Sequence, residues 1–392
     1  MVRTLAARNA VALSFFLNGF GFATWVTRIP EARAELALSN GGLGLLLLAI
    51  SAGSVLTLPS TGVLINRFGA MAVVRLGVSA DVVGLVLASL GAGVLGSIPV
   101  TAVGLFLYGL GVGAWDVAMN VEGAAVERLI GRNIMPRFHA GFSFGTVMGA
   151  GLGAATIALG VPMQWHLIAV AVFLGVVAHA TTGRFLPRGE EVLATAGTPR
   201  PRSAWAAWLE PRTLLIGGMV FALALTEGTA NDWLAVSLID GYDVERWVGV
   251  AGFGLFVVAM TAGRLVGPVV LDRFGRVPVL WSTIVAAGLG ILLIVFGGTP
   301  ALVVPGIVLW GLGASLGFPV GMSAAADDEV QAAARVSVVS TIAYTAFLAG
   351  PPLLGFLADH VGTLDALLAV AVLLVPSALL VPSAREPARS GR

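Results

Sequence analysis

The sequence predicts an all-α membrane protein of twelve transmembrane helices, with both termini in the cytoplasm. Three observations lead there. Of 392 residues, 57% are apolar and only 11% charged, whereas a soluble protein is roughly a quarter charged. Apolar runs of span length follow one another along the whole chain. All 22 basic residues are arginines, and they gather in alternate connections. With so few charges the chain cannot cover a water-facing surface, which excludes a soluble enzyme, a nucleic-acid binder and a disordered chain. The absence of cysteine excludes a disulfide framework, thiol catalysis and a Cys-ligated metal. A net charge of +1 gives no reason to expect a nucleic-acid partner.

A span needs about 20 apolar residues, because the hydrocarbon core is roughly 30 Å thick and a helix rises about 1.5 Å per residue. The first predicted span, 9–29, carries Asn18 and Trp25; it is full length and lacks a small-residue cleavage site, so it reads as a retained helix rather than a signal peptide. The second, 42–65, runs into Asn66-Arg67-Phe68-Gly69, and the third, 72–95, carries Asp81. The fourth, 99–123, holds Trp115, Asp116, Asn120 and Glu122. His139 opens the fifth, 140–161, and the sixth is 165–186. After the Pro- and Arg-bearing connection from Leu186 to Arg212 comes the seventh, 213–239, with Glu227, Asn231, Asp232 and Trp233. The eighth, 247–271, contains Arg264, and the ninth and tenth are 277–297 and 301–323. The eleventh, 335–357, contains Gly350-Pro351-Pro352, which should break or kink it; the twelfth is 364–383. The division that follows is a six-helix bundle at 1–186, a cytoplasmic linker at 187–212 and a second bundle at 213–392.

With the N-terminus inside, 18 arginines fall on the cytoplasmic side, among them Arg3, Arg67, Arg132, Arg188, Arg200, Arg202, Arg389 and Arg392. Three fall outside (Arg28, Arg33, Arg246) and one within a span (Arg264). The positive-inside rule therefore places both termini in the cytoplasm.

The halves also echo each other. Asn66-Arg67-Phe68-Gly69 matches Asp272-Arg273-Phe274-Gly275 at an offset of 206, Leu107-Tyr108-Gly109-Leu110-Gly111 matches Leu309-Trp310-Gly311-Leu312-Gly313 at 202, and Trp25 matches Trp233 at 208. Parallel repeats of six helices imply a solute site near the bilayer midplane. Twelve spans, the repeat and the loop motif resemble the major facilitator superfamily of secondary transporters. The family pattern G-x-L-x-D-R-x-G-R appears as Gly62-Val63-Leu64-Ile65-Asn66-Arg67-Phe68-Gly69-Ala70, with Asn for the acid and Ala for the last arginine. The second copy keeps Asp272, Arg273 and Arg276 but has Pro268 for the leading glycine. Asp116-Val117-Ala118-Met119-Asn120, Glu227-Gly228 through Asp232-Trp233, and Gly350-Pro351-Pro352 resemble a YbjJ-like, distantly fucose-permease-like branch.

Five acids lie within predicted spans: Asp81, Asp116, Glu122, Glu227 and Asp232. Each costs roughly 2.5–3.5 kcal/mol at a helix centre even on the lenient scale, so they must face a cavity or partners. The resemblance implies that spans 1, 4, 7 and 10 line the central cavity, and four of the five acids are on spans 4 and 7. Asp116 and Asn120 share a helical face at i, i+4, as do Glu227 and Asn231. Asp232 lies roughly 140° round from Glu227, unless Gly228 bends the helix. Asp116 and Glu227 are the first candidates for proton coupling and Asp232 the next; the alternative is that they fix helix packing. With no lysine, and Arg264 placed near the cytoplasmic end of its span, the cavity reads as acidic without a counter-charge, favouring a neutral or cationic solute over an anion. Trp25, Trp115 and Trp233 offer indole faces for a sugar ring or a cation, and Asn18 a mid-span amide.

Asn66 and Arg67, with Asp272, Arg273 and Arg276, are expected to latch helix ends as a gate, as the resemblance implies. Asp327, Asp328 and Glu329 suit the positive N-terminus of span 11 and read as capping. His139 beside Arg137 reads as an interfacial contact. Gly141-Phe142-Ser143-Phe144-Gly145 fits the nucleophile pattern G-x-S-x-G but lacks its strand–turn–helix setting, and no cofactor or metal is expected. The expected function is proton-coupled symport of a small polar solute such as a sugar, by a monomer in a bacterial inner membrane. Proton-driven efflux of amphipathic compounds is the second expectation, weakened because Gly149-Ala150 replaces the Gly-Pro pair of the family's antiporter signature. A non-transporting receptor or scaffold is the alternative of another class.

Overall fold

A computed structural model describes residues 2–131, 134–187, 204–328 and 331–386. Most of the 187–212 linker, together with Arg132, Arg188, Arg200, Arg202, Glu329, Arg389 and Arg392, lies outside the described residues. Twelve helices among them are long and apolar enough to cross a membrane, one for each predicted span. Compact packing divides the chain into one unit of Met1–Thr198 with Glu245–Gly254 and another of Pro199–Val244 with Leu255–Arg392.

The first unit contains α1 (Val2–Val26), the short α2 (Ile29–Glu35), α3 (Asn40–Phe68), α4 (Ala70–Gly93), α5 (Ile98–Ile130), α6 (Met135–Ala158) and α7 (Met163–Thr182). Ser39 starts α3 by accepting the Gly42 N–H at 3.1 Å. Helix α1 packs on α6 and α7, and α5 on α3 and α4. The core runs through Val11, Phe15, Val74, Trp115 and Leu174. Glu122, fully buried, accepts the Leu186 N–H at 2.6 Å and ties the end of the sixth span to α5. His139 packs edge-on against Phe15, with ring centroids 5.1 Å apart.

The second unit follows with α8 (Ala204–Ala207), α9 (Pro211–Tyr242), α10 (Arg246–Phe274, whose residues up to Gly254 group with the first unit), α11 (Arg276–Phe296), α12 (Pro300–Ala314), α13 (Gly317–Ala325), α14 (Ala332–Val361), α15 (Thr363–Ala366) and α16 (Leu368–Leu380). Here α9 packs on α14 and α16 and α11 on α12, the pairings of the first unit repeated. The loop motif repeats in backbone detail as well. Gly69 and Gly275, 206 apart, have φ of 84° and 76°, a region open to glycine and strained for other residues. Before each of them the arginine lies over the adjacent phenylalanine, Arg67 over Phe68 at 5.4 Å and Arg273 over Phe274 at 5.3 Å.

One expectation about helix continuity is corrected: Gly350-Pro351-Pro352 does not break its helix but lies inside an uninterrupted α14. The break falls in the tenth span, between α12 and α13 at Ser315–Leu316. The capping expectation for Asp327 is corrected too. Gln331 occupies the N-cap of α14, while Asp327 bridges Arg212 and Arg276, each at 2.7 Å. Asp328 lies 3.6 Å from Arg335, which also pairs with Glu210 at 2.6 Å. Partial burial pushes the Glu210 carboxyl up, but hydrogen bonds from Arg335 and Thr213 and the charge of Arg335 outweigh it and hold the group below its usual value.

Candidate solute site

In the second unit the seventh span brings Glu227 to mid-helix on α9, and α10 brings Arg264 against it. The Arg264 Nη2 donates to Glu227 Oε1 at 2.9 Å. Its Nε donates to the Ser315 carbonyl at 3.3 Å. The local sequence explains why that carbonyl is available. A helical carbonyl bonds the N–H four residues on, and four residues after Ser315 stands Pro319, which has none. Pro268 stands in the same relation to Arg264, inside α10. The pair is not sealed, since 17% of the Glu227 side chain and 28% of the Arg264 side chain remain accessible.

This overturns the expectation of an acidic cavity without a counter-charge. Arg264 is ten residues before the end of α10, roughly 15 Å along the helix, and not at its cytoplasmic mouth. The argument against anionic solutes loses its ground with it. Asn231 and Asp232 are half-buried on the same helix, and Asp232 forms no ion pair among the described residues.

In the first unit Asp116 is half-buried on α5, and Asn120 Nδ2 donates to its carbonyl at 2.9 Å and to its Oδ1 at 3.3 Å. Among the described residues no arginine pairs with Asp116. Trp115, one position earlier, points elsewhere: it is 1% exposed within the core and donates its indole N–H to Ser14 Oγ at 2.7 Å. Asn18 is buried, and its Nδ2 has no hydrogen-bond partner among the described residues. Trp25 and Trp233 are alike, each 2% exposed with an indole N–H that has no partner among the described residues, so the repeat extends to their surroundings.

Of the gate residues, Asn66, Arg67, Asp272 and Arg273 are exposed. Arg276 pairs with Asp327 and donates to Ser323 Oγ at 3.0 Å. Sequence reasoning missed one buried cation altogether. Arg28, counted only as an outer-loop charge, is 1% exposed, pairs with Glu31, and donates to His166 Nδ1 at 3.0 Å, Thr156 Oγ1 at 3.1 Å and the Val161 carbonyl at 3.0 Å. It ties α1 to the ends of α6 and α7. The only hint in the sequence was the acid three residues on.

Twelve spans in two repeated six-helix sets, with ionisable groups held inside, define a multi-pass membrane protein. The model of the Major Facilitator Superfamily matches residues 11–327 and 247–392. An uncharacterized MFS-type transporter of Yersinia pestis is 33% identical over 95% of this chain and 94% of its own. An uncharacterized transporter of Sinorhizobium fredii is 34% identical over 92% of this chain and 93% of its own. The membrane protein MosC of Rhizobium meliloti is 29% identical over 92% and 86%. Among solved structures, a point mutant of the nucleoside transporter NupG superposes with a TM-score of 0.79 at 15% identity, covering 96% of this chain and 99% of that one. The human organic anion transporter MFSD10 gives 0.65 at 15%, over 96% and 99%. The chain belongs to the Major Facilitator Superfamily.

Proposed function

We propose that this protein is a proton-coupled secondary transporter that moves a small polar solute by alternating access, as a monomer in a bacterial inner membrane. The observation that carries the reading is the Glu227–Arg264 pair at mid-span, still partly accessible. A carboxylate and a guanidinium side by side offer an acceptor and a donor to one solute, which suits hydroxyl- and carbonyl-bearing molecules such as sugars or nucleosides. The nucleoside specificity in NupG's name agrees with that chemistry. Asn231, one turn further along α9, supplies a further polar contact. Asp116 is the proton carrier in this reading, because Asn120 is its hydrogen-bond partner and, among the described residues, no cation holds it ionised. Asp232 is second in line. Trp115 serves packing, not solute.

A second reading is favoured by Arg264 itself: a solute carboxylate would replace Glu227 on the guanidinium, and the transporter would carry organic anions, as the name of MFSD10 says of that protein. Thermal-shift measurements at about pH 5.5 and 7.5, with sugars, nucleosides, organic anions and lipophilic cations, separate the two. A ligand at about 100 times its Kd adds roughly 2.7 kcal/mol of stability. Stabilisation by a neutral polar solute, lost in both Glu227→Gln and Arg264→Gln and insensitive to pH in Asp116→Asn, supports the first reading. Stabilisation by an anion that survives Glu227→Gln but not Arg264→Gln supports the second. Stabilisation by lipophilic cations alone overturns both.

A further inference from the structure

A groove of about 400 Å³ opens on the surface of the first unit between the end of α3, the start of α4 and the end of α7. Phe68, Met71 and Leu76 give it an apolar wall, and Arg75, Ser79 and His179 a polar one. Among the described residues no carboxylate lines it. We propose that this groove binds an anionic phospholipid, its phosphate against Arg75 and an acyl chain along Phe68, Met71 and Leu76.

Depth is the first support. Arg75 lies five residues after the start of α4, roughly 7–8 Å along the helix, so with α4 as the third span it belongs to the end of that span and not its middle. Leu76 and Phe68 are 59% and 46% exposed there, so the described protein leaves the apolar wall uncovered. Charge is the second. The Arg75 Nε donates to Thr182 Oγ1 at 3.0 Å and its Nη2 to the His179 carbonyl at 3.4 Å. Both acceptors are neutral. The His179 ring is oriented by the Gly175 carbonyl at 2.8 Å, with its Nε2 3.3 Å from Ser79 Oγ. Arg67, over the Phe68 ring, adds positive potential at the rim. The whole groove lies at the end of the bundle that the arginine bias assigns to the cytoplasm, where anionic headgroups attract basic residues.

The internal repeat supplies the third support, because it acts as a control. At the 206-residue offset fixed by Gly69 and Gly275, Arg75 corresponds to Trp281. The Trp281 indole N–H donates to the Ala378 carbonyl of the twelfth span at 2.9 Å, just as Arg75 donates to a carbonyl of the sixth. The bundle needs a donor at this position and does not need a cation. The charge in the first unit is surplus to packing, and an arginine at the acyl boundary is costly unless an anion meets it.

Native mass spectrometry of the purified protein tests this with phosphatidylglycerol and phosphatidylcholine of identical acyl chains. We expect phosphatidylglycerol adducts to predominate. Arg75→Trp, which installs the second unit's residue, should lower them about fivefold with phosphatidylcholine unchanged, and Arg75→Lys should keep most of the preference. If Arg75→Trp fails to fold, Arg75→Gln retains a donor without the charge and should show the same loss. Equal binding of the two lipids by the native protein, or an undiminished preference in the uncharged variants, overturns the proposal. The readout requires no transported solute, so it stands or falls apart from the transport reading.

Discussion

Glu227 and Arg264 are 37 residues apart in the chain and hydrogen-bonded in space, and what each does depends on the other. A carboxylate alone at mid-span must find a proton or a cation, and Glu227 has a guanidinium beside it. Removing one partner of a fully buried pair costs about 3–5 kcal/mol, since the other charge is left behind. Here both side chains are partly accessible, so the expected cost of Glu227→Gln or Arg264→Gln is about 1–3 kcal/mol. The double variant should lose less than the two single losses added, which a thermal double-mutant cycle measures directly. Strictly additive losses would mean that the pair is a bystander. The acid was legible in the sequence, as a charge in an apolar run. Its partner was not, because hydropathy carries no register between two spans, and Arg264 was placed too near the end of its span to meet Glu227.

At the scale of helix pairs, close backbone packing joins α4 to α5 and α11 to α12, and the two seams are copies. A Cβ built on Gly111 would stand 2.6 Å from the Gly77 carbonyl oxygen and 2.7 Å from Asp81 Cα; on Gly313, it would stand 2.6 Å from the Thr283 oxygen and 2.7 Å from Ala287 Cα. Glycine is required at both positions because the backbones touch. Asp81 and Ala287 therefore fill the same place, one with a carboxyl and one with a methyl. Asp81 is 2% exposed, and its Oδ2 has no hydrogen-bond partner among the described residues. An unsatisfied buried polar group costs about 1–3 kcal/mol, so Asp81→Ala should raise stability by about 1–2 kcal/mol, read as a higher melting temperature in detergent. A loss of stability would show that the acid holds the seam; a gain would show that it is kept for something other than packing. The spans themselves were legible, since each is an apolar run of the required length. Their interruptions were not. Pro351-Pro352 looked like a break but leaves α14 continuous, whereas Pro319 acts on Ser315 four residues earlier, at a place the sequence does not mark.

Across the whole molecule, the distribution of arginine makes the strongest untested claim. Nothing in a helical bundle says which end faces the cytoplasm; the asymmetry of charge does, because basic loops resist translocation and anionic headgroups hold them at about 1 kcal/mol per residue. Burial sharpens the argument. Arg28, one of the three arginines assigned to the outside, is 1% exposed and paired with Glu31, so it weighs less as a topological signal and the bias toward the other side grows. The turns at Gly96, Gly160 and Gly298, all of positive φ, should then face outward, and those at Gly69, Gly131 and Gly275 inward. Alkaline phosphatase fused after Gly160 or Gly298 should be active, and green fluorescent protein fused at the C-terminus should fluoresce. The reverse pattern would invert the protein, place the lipid groove in the opposite leaflet and put the Asp327 ion network outside. It would also require arginines to be carried across in every second loop, so a single pair of fusions, one in each unit, decides the matter for all twelve spans.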